Sequence, residues 1–391
     1  MSSNSKKSDK TYSEAYSDYI GKKYFIIIVG VIFTFIMFLV SASVGAVNIP
    51  VYDVAHTLFV GGVIRILTYF YSLFDSVIGM LVPVINYLKS LGGTSLYDTI
   101  IWNIRIPQAL TAVVAGAGLA IAGVTMQSVL RNPLASPFTL GLSNAAAFGA
   151  AVGILIFDSG KTGSSIADAV VINNPYITTF SAFLFALLTT AIIIIISKMR
   201  TASPETMVLA GVAISSIFNA GLMAIQYFVD DTKLASIVFW QFGDVSRAGW
   251  DELFLITVIV VVCFIYIYLK RWDFNAIDAG EETAKGLGVD VEKIRIVGMV
   301  AASLISAIVV SFLGIIGFVG LVCPHMMRRF VGDDHRFLIP ASLVCGSLLL
   351  LVSDTVARVM IAPHVLPVAV LTAFLGGPMF LYLIIRGKGT K

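Results

Sequence analysis

Long apolar runs separated by short polar segments dominate the chain from residue 24 to residue 386. Most of these runs approach the roughly 20 residues that an α-helix needs to cross a bilayer. An open sheet cannot satisfy its backbone groups in lipid, so the runs predict helices. Ten spans are predicted, several of them interrupted by Gly or Pro, at 24–47, 104–126, 138–157, 176–197, 205–229, 251–269, 294–313, 315–330, 339–361 and 367–386.

The composition agrees with this pattern. Of the 391 residues, 58% are hydrophobic and 13% are charged, and the mean hydropathy is +0.93. Soluble domains are usually about 45–50% apolar and about 25% charged. Too little polar surface remains to cover a water-soluble globule, which excludes a cytosolic enzyme, a nucleic-acid binder and a disordered protein. The chain is predicted to be an all-α, polytopic integral membrane protein.

The distribution of basic residues predicts the orientation. Nineteen of the 26 lysines and arginines fall on the side of the N-terminus and 7 on the other side. Cytoplasmic loops carry the excess of Lys and Arg, so both termini are predicted to be cytoplasmic. The tails are 1–23 and 387–391 and the membrane domain is 24–386. No small-residue cleavage site follows the first span, which predicts an uncleaved helix.

The extended outer segment, 48–103, contains an apolar stretch at 54–91. Its only charges are Arg65, Asp75 and Lys89. Two interpretations remain open: amphipathic helices on the outer face, which we favour, or an additional membrane hairpin. A hairpin adds an even number of crossings, so neither changes the later topology.

Small residues four apart form two stripes that are typical of close helix packing in lipid. One contains Ala112, Gly116 and Ala120, and the other contains Gly141, Ala145, Gly149 and Gly153. They predict a tight bundle and do not locate a pore.

The longest polar interior segment is 270–295. Asp278, Glu281 and Glu282 precede Lys285, a charge order typical of a helix start, and two glycines follow. A polar helix and turn at this face is either a docking surface or a solvated connector.

Two further charges lie within a span. Asp354 and Arg358 are four residues apart on one helix face. A lone charge near mid-membrane costs roughly 2.5–3.5 kcal/mol, so the two are expected to pair. A functional interpretation is a proton relay or a substrate contact, and the alternative is an internal ion pair near the outer boundary.

Metal and nucleotide sites have no sequence signal. The four histidines show no ligand spacing, and the three cysteines form no CxxC pair. Gly160–Lys161–Thr162 lacks the preceding glycine of a phosphate-binding loop, since Leu155 stands there. No metal or cofactor is expected in this chain.

Two interruptions lie on the predicted inner side. One contains Pro133 and Pro137, four residues apart, and the other runs from Thr201 to Glu205. Irregular backbone at membrane depth is tolerated only inside protein or beside a watery cavity. Both are candidate inner-gate loops, and simple turns between spans are the alternative.

Three motifs resemble one family. RIPQALTAVVAGAGLAIAGVTMQSVLRNPLASPFTLGLSNAAAFGA, GIIGFVGLVCPHMMRRFVGDDHR and LPVAVLTAFLGGPMFLYLIIR are similar to segments of the ABC-importer permeases for iron-siderophores, haem and cobalamin. The resemblance covers residues 100–386. It implies ten helices and a second permease subunit, either a copy or a paralogue. It also implies two ATPase subunits that carry ATP and magnesium, and an extracytoplasmic substrate-binding protein.

The resemblance also assigns residues. Arg105 and Arg358 match arginines that dock the binding protein, but RIPQ replaces the family's RLPR, so Gln108 stands at the second arginine. The resemblance implies inner-gate roles for Asn132, Pro133, Leu134, Ser203, Pro204 and Glu205. It implies ATPase-coupling roles for Ala279, Gly280, Glu281, Glu282, Thr283, Ala284, Leu287 and Gly288.

The function expected from the resemblance is import of an iron-siderophore across a bacterial plasma membrane, by alternating access driven by the partner ATPases. Haem or cobalamin import is the alternative within the family. From another class, an ion-coupled secondary transporter would use Asp354 as its titrating group. A membrane enzyme finds no support, because no catalytic pair lies at usable spacing.

Overall fold

The computed structural model describes residues 12–45, 48–63, 65, 96–156, 160–161, 171–172, 175–199, 203–361 and 364–387. Helices dominate this part of the chain. One two-residue hairpin pairs Gly160–Lys161 antiparallel with Val171–Ile172. The α-helices are α1 Tyr12–Ser43, α2 Val51–His56, α3 Leu96–Ile100, α4 Ile106–Val129, α5 Leu142–Ile156, α6 Pro175–Met199, α7 Pro204–Phe228, α8 Asp231–Gln241, α9 Trp250–Leu269, α10 Arg271–Asp278, α11 Glu281–Gly286, α12 Val291–Leu313, α13 Val319–Val331, α14 His335–Val359 and α15 Val368–Gly387.

Each predicted span coincides with a helix, although not all are of full length. Seven helices of the described chain are long and apolar enough to cross a membrane, namely α1, the continuous α3–α4 rod, α6, α7, α9, α12 and α14. Helices α5 and α15 contribute shorter apolar stretches, and α13 has only 13 residues. The chain is therefore an all-helical polytopic membrane protein with about seven to ten spans.

Some boundaries differ from the prediction. Helix α1 begins at Tyr12, inside the predicted N-terminal tail, because its first turns continue the helix beyond the apolar run. Helix α8 was not predicted. Asp230 caps it by accepting a hydrogen bond from the Lys233 amide at 3.0 Å. The tails 1–11 and 388–391 lie outside the described residues.

Helix α4 is the centre of the bundle. In the most apolar stretch of the α3–α4 rod 83% of the residues are buried, against 17% in that of α7. A Cβ added at Gly116 would lie 2.2 Å from the Gly346 carbonyl oxygen of α14, and one at Gly123 would lie 1.7 Å from that of Gly320 in α13. The packing role predicted for the stripe of Ala112, Gly116 and Ala120 is confirmed. At Gly116 glycine is required because the two helix backbones are in contact.

The second stripe packs α5 on α6. The Ser181 hydroxyl donates to the Gly149 carbonyl at 2.6 Å, and a Cβ at Gly153 would lie 3.1 Å from the Thr178 Cα. Gly141 has a different role, because it ends a short 3₁₀ turn in the left-handed region at φ 85°.

Residues predicted to share one side of the membrane meet at one end of the molecule. At the inner end, Lys23 of α1 stacks over the Phe337 ring at 4.8 Å. At the outer end, Trp102 and Trp250 stack with centroids 5.9 Å apart. The structure thus groups the loops at two ends as predicted. Which end faces the cytoplasm stays a prediction from the distribution of Lys and Arg.

The outer segment is described only in part. Val51–His56 continues as a π-helical turn, Thr57–Gly61, and Thr57 donates to Asp98 at 2.7 Å. Arg65 lies over the Trp102 ring at 4.6 Å. Residues 66–95, which would distinguish surface helices from a hairpin, lie outside the described residues.

Candidate coupling face and gate loops

The first gate loop begins at the end of α4. Arg131 adopts a positive φ of 47°, and the Asn132 amide donates back to the Gln127 carbonyl at 3.0 Å. The Asn132 side chain then accepts from the Leu134 amide at 2.9 Å, the local bond that makes asparagine favourable in turns. Leu134 is exposed, so the loop presents an apolar tip at this end of the bundle.

The second gate segment is a capped helix start. Ser203 accepts from the Thr206 amide at 3.2 Å, Pro204 opens α7, and Glu205 lies in its first turn. Each choice suits a helix N-terminus, where free amides and a positive dipole meet. The predicted interruption is therefore a regular boundary from Ser203 onward, while Thr201 and Ala202 lie outside the described residues.

The predicted coupling segment is a helix–turn–helix at the surface. Gly280, at φ 124°, separates α10 from α11, and Gly288, at φ 81°, follows α11. Both conformations favour glycine because it lacks a Cβ. Asp278 ends α10, so its predicted place at the start of the following helix is wrong. The chain reverses after it.

Helix α11 has a buried side and an exposed side. Ala284 is fully buried, whereas Leu287, just after the helix, is 70% exposed. Glu282 is exposed and forms an ion pair with Lys285 at 3.6 Å. The outward surface therefore carries an apolar side chain beside charges of both signs.

Two open cavities bring the predicted segments together. One of about 820 Å³ is lined by Asn132 and Pro133 with Asp278 and Ala279. The other, of about 660 Å³, is lined by Ser203, Pro204 and Glu205 with Glu281 and Lys285. Arg131 lines both cavities. Three segments far apart in sequence thus converge on one face, with the coupling segment adjoining both gate loops.

Sequence reasoning missed a polar cluster behind this face. His335 is fully buried, and its Nε2 lies 2.9 Å from an Asp278 carboxylate oxygen and 3.0 Å from the Ser128 hydroxyl. The His335 amide donates to Asn275 at 2.9 Å. These residues come from three helices, and no local spacing connects them.

Asp334 completes the turn before α14. It accepts from Asn275 at 3.1 Å and pairs with Arg336 at 2.6 Å. Partial burial opposes ionisation of this carboxyl, but the hydrogen bonds from Arg336 and Asn275 outweigh it and lower the pKa of Asp334 to about 2. Asp334 therefore stays ionised at neutral pH and holds the start of α14 against α10.

Of the residues predicted to dock a binding protein, Arg105 and Gln108 are buried and Arg358 is partly buried. Arg105 is 6% exposed and its guanidinium donates to the Val44 carbonyl. Arg358 donates to the same carbonyl at 3.2 Å and pairs with Asp354 at 3.1 Å. Gln108 donates to the other Asp354 oxygen at 3.0 Å. The four side chains form one network beneath the end of α1.

The described residues offer no obvious metal centre. Among them, no group of three or more His, Cys, Asp or Glu side chains lies close enough to hold an ion. Cys263 and Cys323 are buried thiols, and Cys345 is partly buried.

Comparison with known proteins assigns the family. Residues 33–386 match the FecCD transport family. An ABC transporter permease protein of Methanocaldococcus jannaschii is 52% identical over 78% of this chain and 86% of its own length. The hemin transport system permease of Yersinia pestis is 36% identical over 77% of this chain and 88% of its own length.

A solved structure agrees with these relatives. An inward-facing metal-chelate-type ABC transporter superposes with a TM-score of 0.73 at 27% identity, covering 92% of this chain and 99% of that one. Permeases of this type do not catalyse a reaction themselves and work with ATPase and binding-protein partners. The chain belongs to the FecCD transport family and is the multi-pass membrane permease subunit of an ABC importer of the metal-chelate type.

Proposed function

We propose that this permease imports a ferric siderophore, paired with a second permease subunit, driven by two ATPases beneath its inner face and supplied by an extracytoplasmic binding protein. The observation that carries the proposal is the convergence of both gate loops and the coupling segment around Arg131. A force applied to the coupling segment at this face reaches both loops across one or two side chains.

The outward surface of α11 is suited to an ATPase groove. Leu287 presents an apolar side chain where a soluble loop would carry a polar one, and Glu282 and Lys285 flank it. An apolar anchor surrounded by charges is the usual composition of a protein contact. The segment is well placed to be the coupling element that the family resemblance implies.

An exposed face of helix α7 favours the presence of a second permease subunit. Its exposed residues recur at three- and four-residue intervals and include Leu209, Val212, Ser216, Asn219 and Met223. An exposed asparagine in the middle of an apolar helix is costly against lipid. Protein or a watery pathway is therefore the better neighbour for this face, and a homodimer or a paralogue pair would provide both.

We choose the chelate from the substrates of related transporters and not from a binding pocket in this chain. One relative is named for hemin transport and the solved relative for metal-chelate transport, so a metal chelate is the shared chemistry, and iron is the metal that we propose. Selection is assigned to the binding protein, and a weakly interacting pathway is sufficient in the permease. Haem and cobalamin are the competing cargoes.

Asp354 finds a structural role in place of the ion-coupled one. Its carboxylate is 3% exposed and bonded to Gln108 and Arg358. In an ABC importer the partner ATPases supply the energy for transport, so the permease needs no titrating group.

The test is reconstitution in vesicles with an ABC ATPase and a substrate-binding protein from the same organism. We expect ATP-dependent accumulation of radiolabelled ferric siderophore, competed poorly by hemin and by cobalamin. Accumulation by the permease alone, with only an ion gradient, would contradict the importer proposal. Preferred uptake of hemin or cobalamin would contradict the cargo alone.

A further inference from the structure

The two ends of the coupling turn are both linked to the last turn of α4, one directly and the other through an arginine. Asp278 and Glu281 lie on either side of Gly280, and each reaches toward the last turn of α4, residues 126–129. That turn immediately precedes the first gate loop. Two separate polar links make the connection.

The first link is the cluster of Ser128, Asp278 and His335. The Ser128 hydroxyl lies 3.3 Å from an Asp278 oxygen and 3.0 Å from His335 Nε2, and the same nitrogen lies 2.9 Å from the same Asp278 oxygen. Ser128 is 1% exposed and His335 is fully buried. The three side chains therefore connect α4, α10 and α14, with Ser128 and His335 shielded from water and Asp278 exposed to the first cavity.

The arrangement is not that of a hydrolase triad. Ser128 and Asp278 both face Nε2 of His335, whereas a catalytic relay needs the acid on one ring nitrogen and the hydroxyl on the other. Nδ1 of His335 is buried and has no hydrogen-bond partner among the described residues. Since a carboxylate oxygen only accepts, His335 meets Asp278 through an N–H on Nε2.

The second link runs through Arg295 of α12. Its guanidinium pairs with Glu281 on one side and its Nε donates to the Val129 carbonyl at 3.2 Å on the other. Arg295 is 4% exposed. A buried guanidinium shared between a carboxylate and a helix-end carbonyl is a strong, directional contact.

The same turn of α4 holds the gate loop. The Arg131 amide donates to the Ser128 carbonyl at 3.1 Å, and the Asn132 amide donates to the Gln127 carbonyl at 3.0 Å. Ser128, which receives the first link, thus also holds Arg131, and the neighbouring Gln127 holds Asn132.

We infer that Ser128, Asp278, His335 and Arg295 are positioning residues that transmit displacement of the coupling segment to the gate loop through the last turn of α4. This inference rests on the proposed function, because it assumes that an ATPase moves the segment. With links on both sides of Gly280, tilting the segment in either direction pulls on that turn.

The test measures ATP hydrolysed per chelate imported in vesicles that contain the permease, its ATPase and its binding protein. Ser128→Ala, His335→Leu and Arg295→Met each remove one contact. We expect about a tenfold rise in the ratio for each, the effect of losing one charge-assisted hydrogen bond. His335→Gln keeps an N–H donor toward Asp278 and should restore most of the coupling.

The matched control is Thr125→Ala, one turn earlier in α4. Its hydroxyl is equally buried but donates within the helix, to the Ile121 carbonyl at 2.9 Å. It should leave the ratio unchanged. Thermal melts and gel filtration of every variant separate misfolding from uncoupling.

The outcomes distinguish the inference from the proposed function. If the wild type shows no ATP-driven uptake, the proposed function fails. If the wild type is coupled and well-folded Ser128→Ala and Arg295→Met keep its ratio, the positioning role is wrong. A His335→Gln variant as uncoupled as His335→Leu would exclude the Asp278 contact as the reason for the histidine.

Discussion

At the scale of single residues, close backbone approach and buried charge decide what can be substituted. Gly116 exists because a carbonyl of α14 occupies the place of its side chain. Asp354 accepts a hydrogen bond from the buried Gln108 and pairs with Arg358, whose side chain is 9% exposed. Neither residue contacts the gate loops, so changes at both should affect the folded state before they affect transport.

Gly116→Ala should lower the melting temperature of the purified permease strongly, since the new Cβ would lie 2.2 Å from the Gly346 carbonyl oxygen. Overpacking of this kind costs about 1–3 kcal/mol or more, because backbone rather than a flexible side chain must move. Gly21→Ala in α1 is the control, since nothing lies within 4 Å of its added Cβ. Equal melts for the two variants would contradict the close packing of α4 and α14.

Asp354→Asn should destabilise the fold by about 3–5 kcal/mol, because it leaves Arg358, whose side chain is only 9% exposed, without its counter-charge. Asp333→Asn breaks an ion pair with Arg328 whose acidic side chain is 76% exposed, and it should cost less than about 1 kcal/mol. Denaturation in detergent measures both. A stable Asp354→Asn variant that has lost only transport would revive a titrating role for this carboxyl.

At the scale of elements, the polar segment between α9 and α12 is the part of the molecule most shaped for a partner. It is short, ordered by two left-handed glycines, and held from behind by Arg295. Its exposed side chains contribute little to the stability of the fold, so its contact with the ATPase can be tested without unfolding the protein.

Leu287→Asp should abolish stimulation of the partner ATPase and chelate uptake while leaving the melting temperature within error, because the side chain is 70% exposed. An apolar anchor at an interface contributes about 2 kcal/mol or more when removed. Tyr52→Ser is the control, as Tyr52 is 76% exposed at the opposite end. Unchanged ATPase binding by Leu287→Asp would place the coupling surface elsewhere.

At the scale of the whole molecule, the buried helices α4, α12 and α14 form a centre, and α1, α6, α7 and α9 surround it with largely exposed apolar faces. Lipid can cover most of that surface. The face of α7 with Ser216 and Asn219 is the best candidate for a contact between permease subunits.

Ser216→Cys, in a chain whose three native cysteines are replaced by alanine, should give a cross-linked permease dimer with a short bis-maleimide. Phe254→Cys on α9 is equally accessible, since Phe254 is 71% exposed, and should give none. Electrophoresis after cross-linking in membranes measures both. Cross-linking through Phe254→Cys alone would move the subunit interface to α9.

Local signals were sufficient for the membrane class, for the spans and for the turns that separate them, whereas the gate and coupling roles of 132–134, 203–205 and 279–288 stay predictions from the family resemblance. Apolar runs, proline and glycine act within a few residues, so they can be found in a sequence without knowledge of its partners in space. The boundaries were less certain, as at Tyr12 of α1, because a helix continues past the apolar run that reveals it.

The sequence by itself determined that this chain is a bundle of membrane helices with a polar segment between two of them, because hydropathy and turn chemistry are properties of neighbouring residues. Only the tertiary structure decided that Arg105 and Arg358 share the Val44 carbonyl, and that Ser128 meets Asp278 and His335, which lie 150 and 207 residues away. Such contacts arise from how helices pack, and side-chain spacing along one helix carries no information about which distant helix will face it.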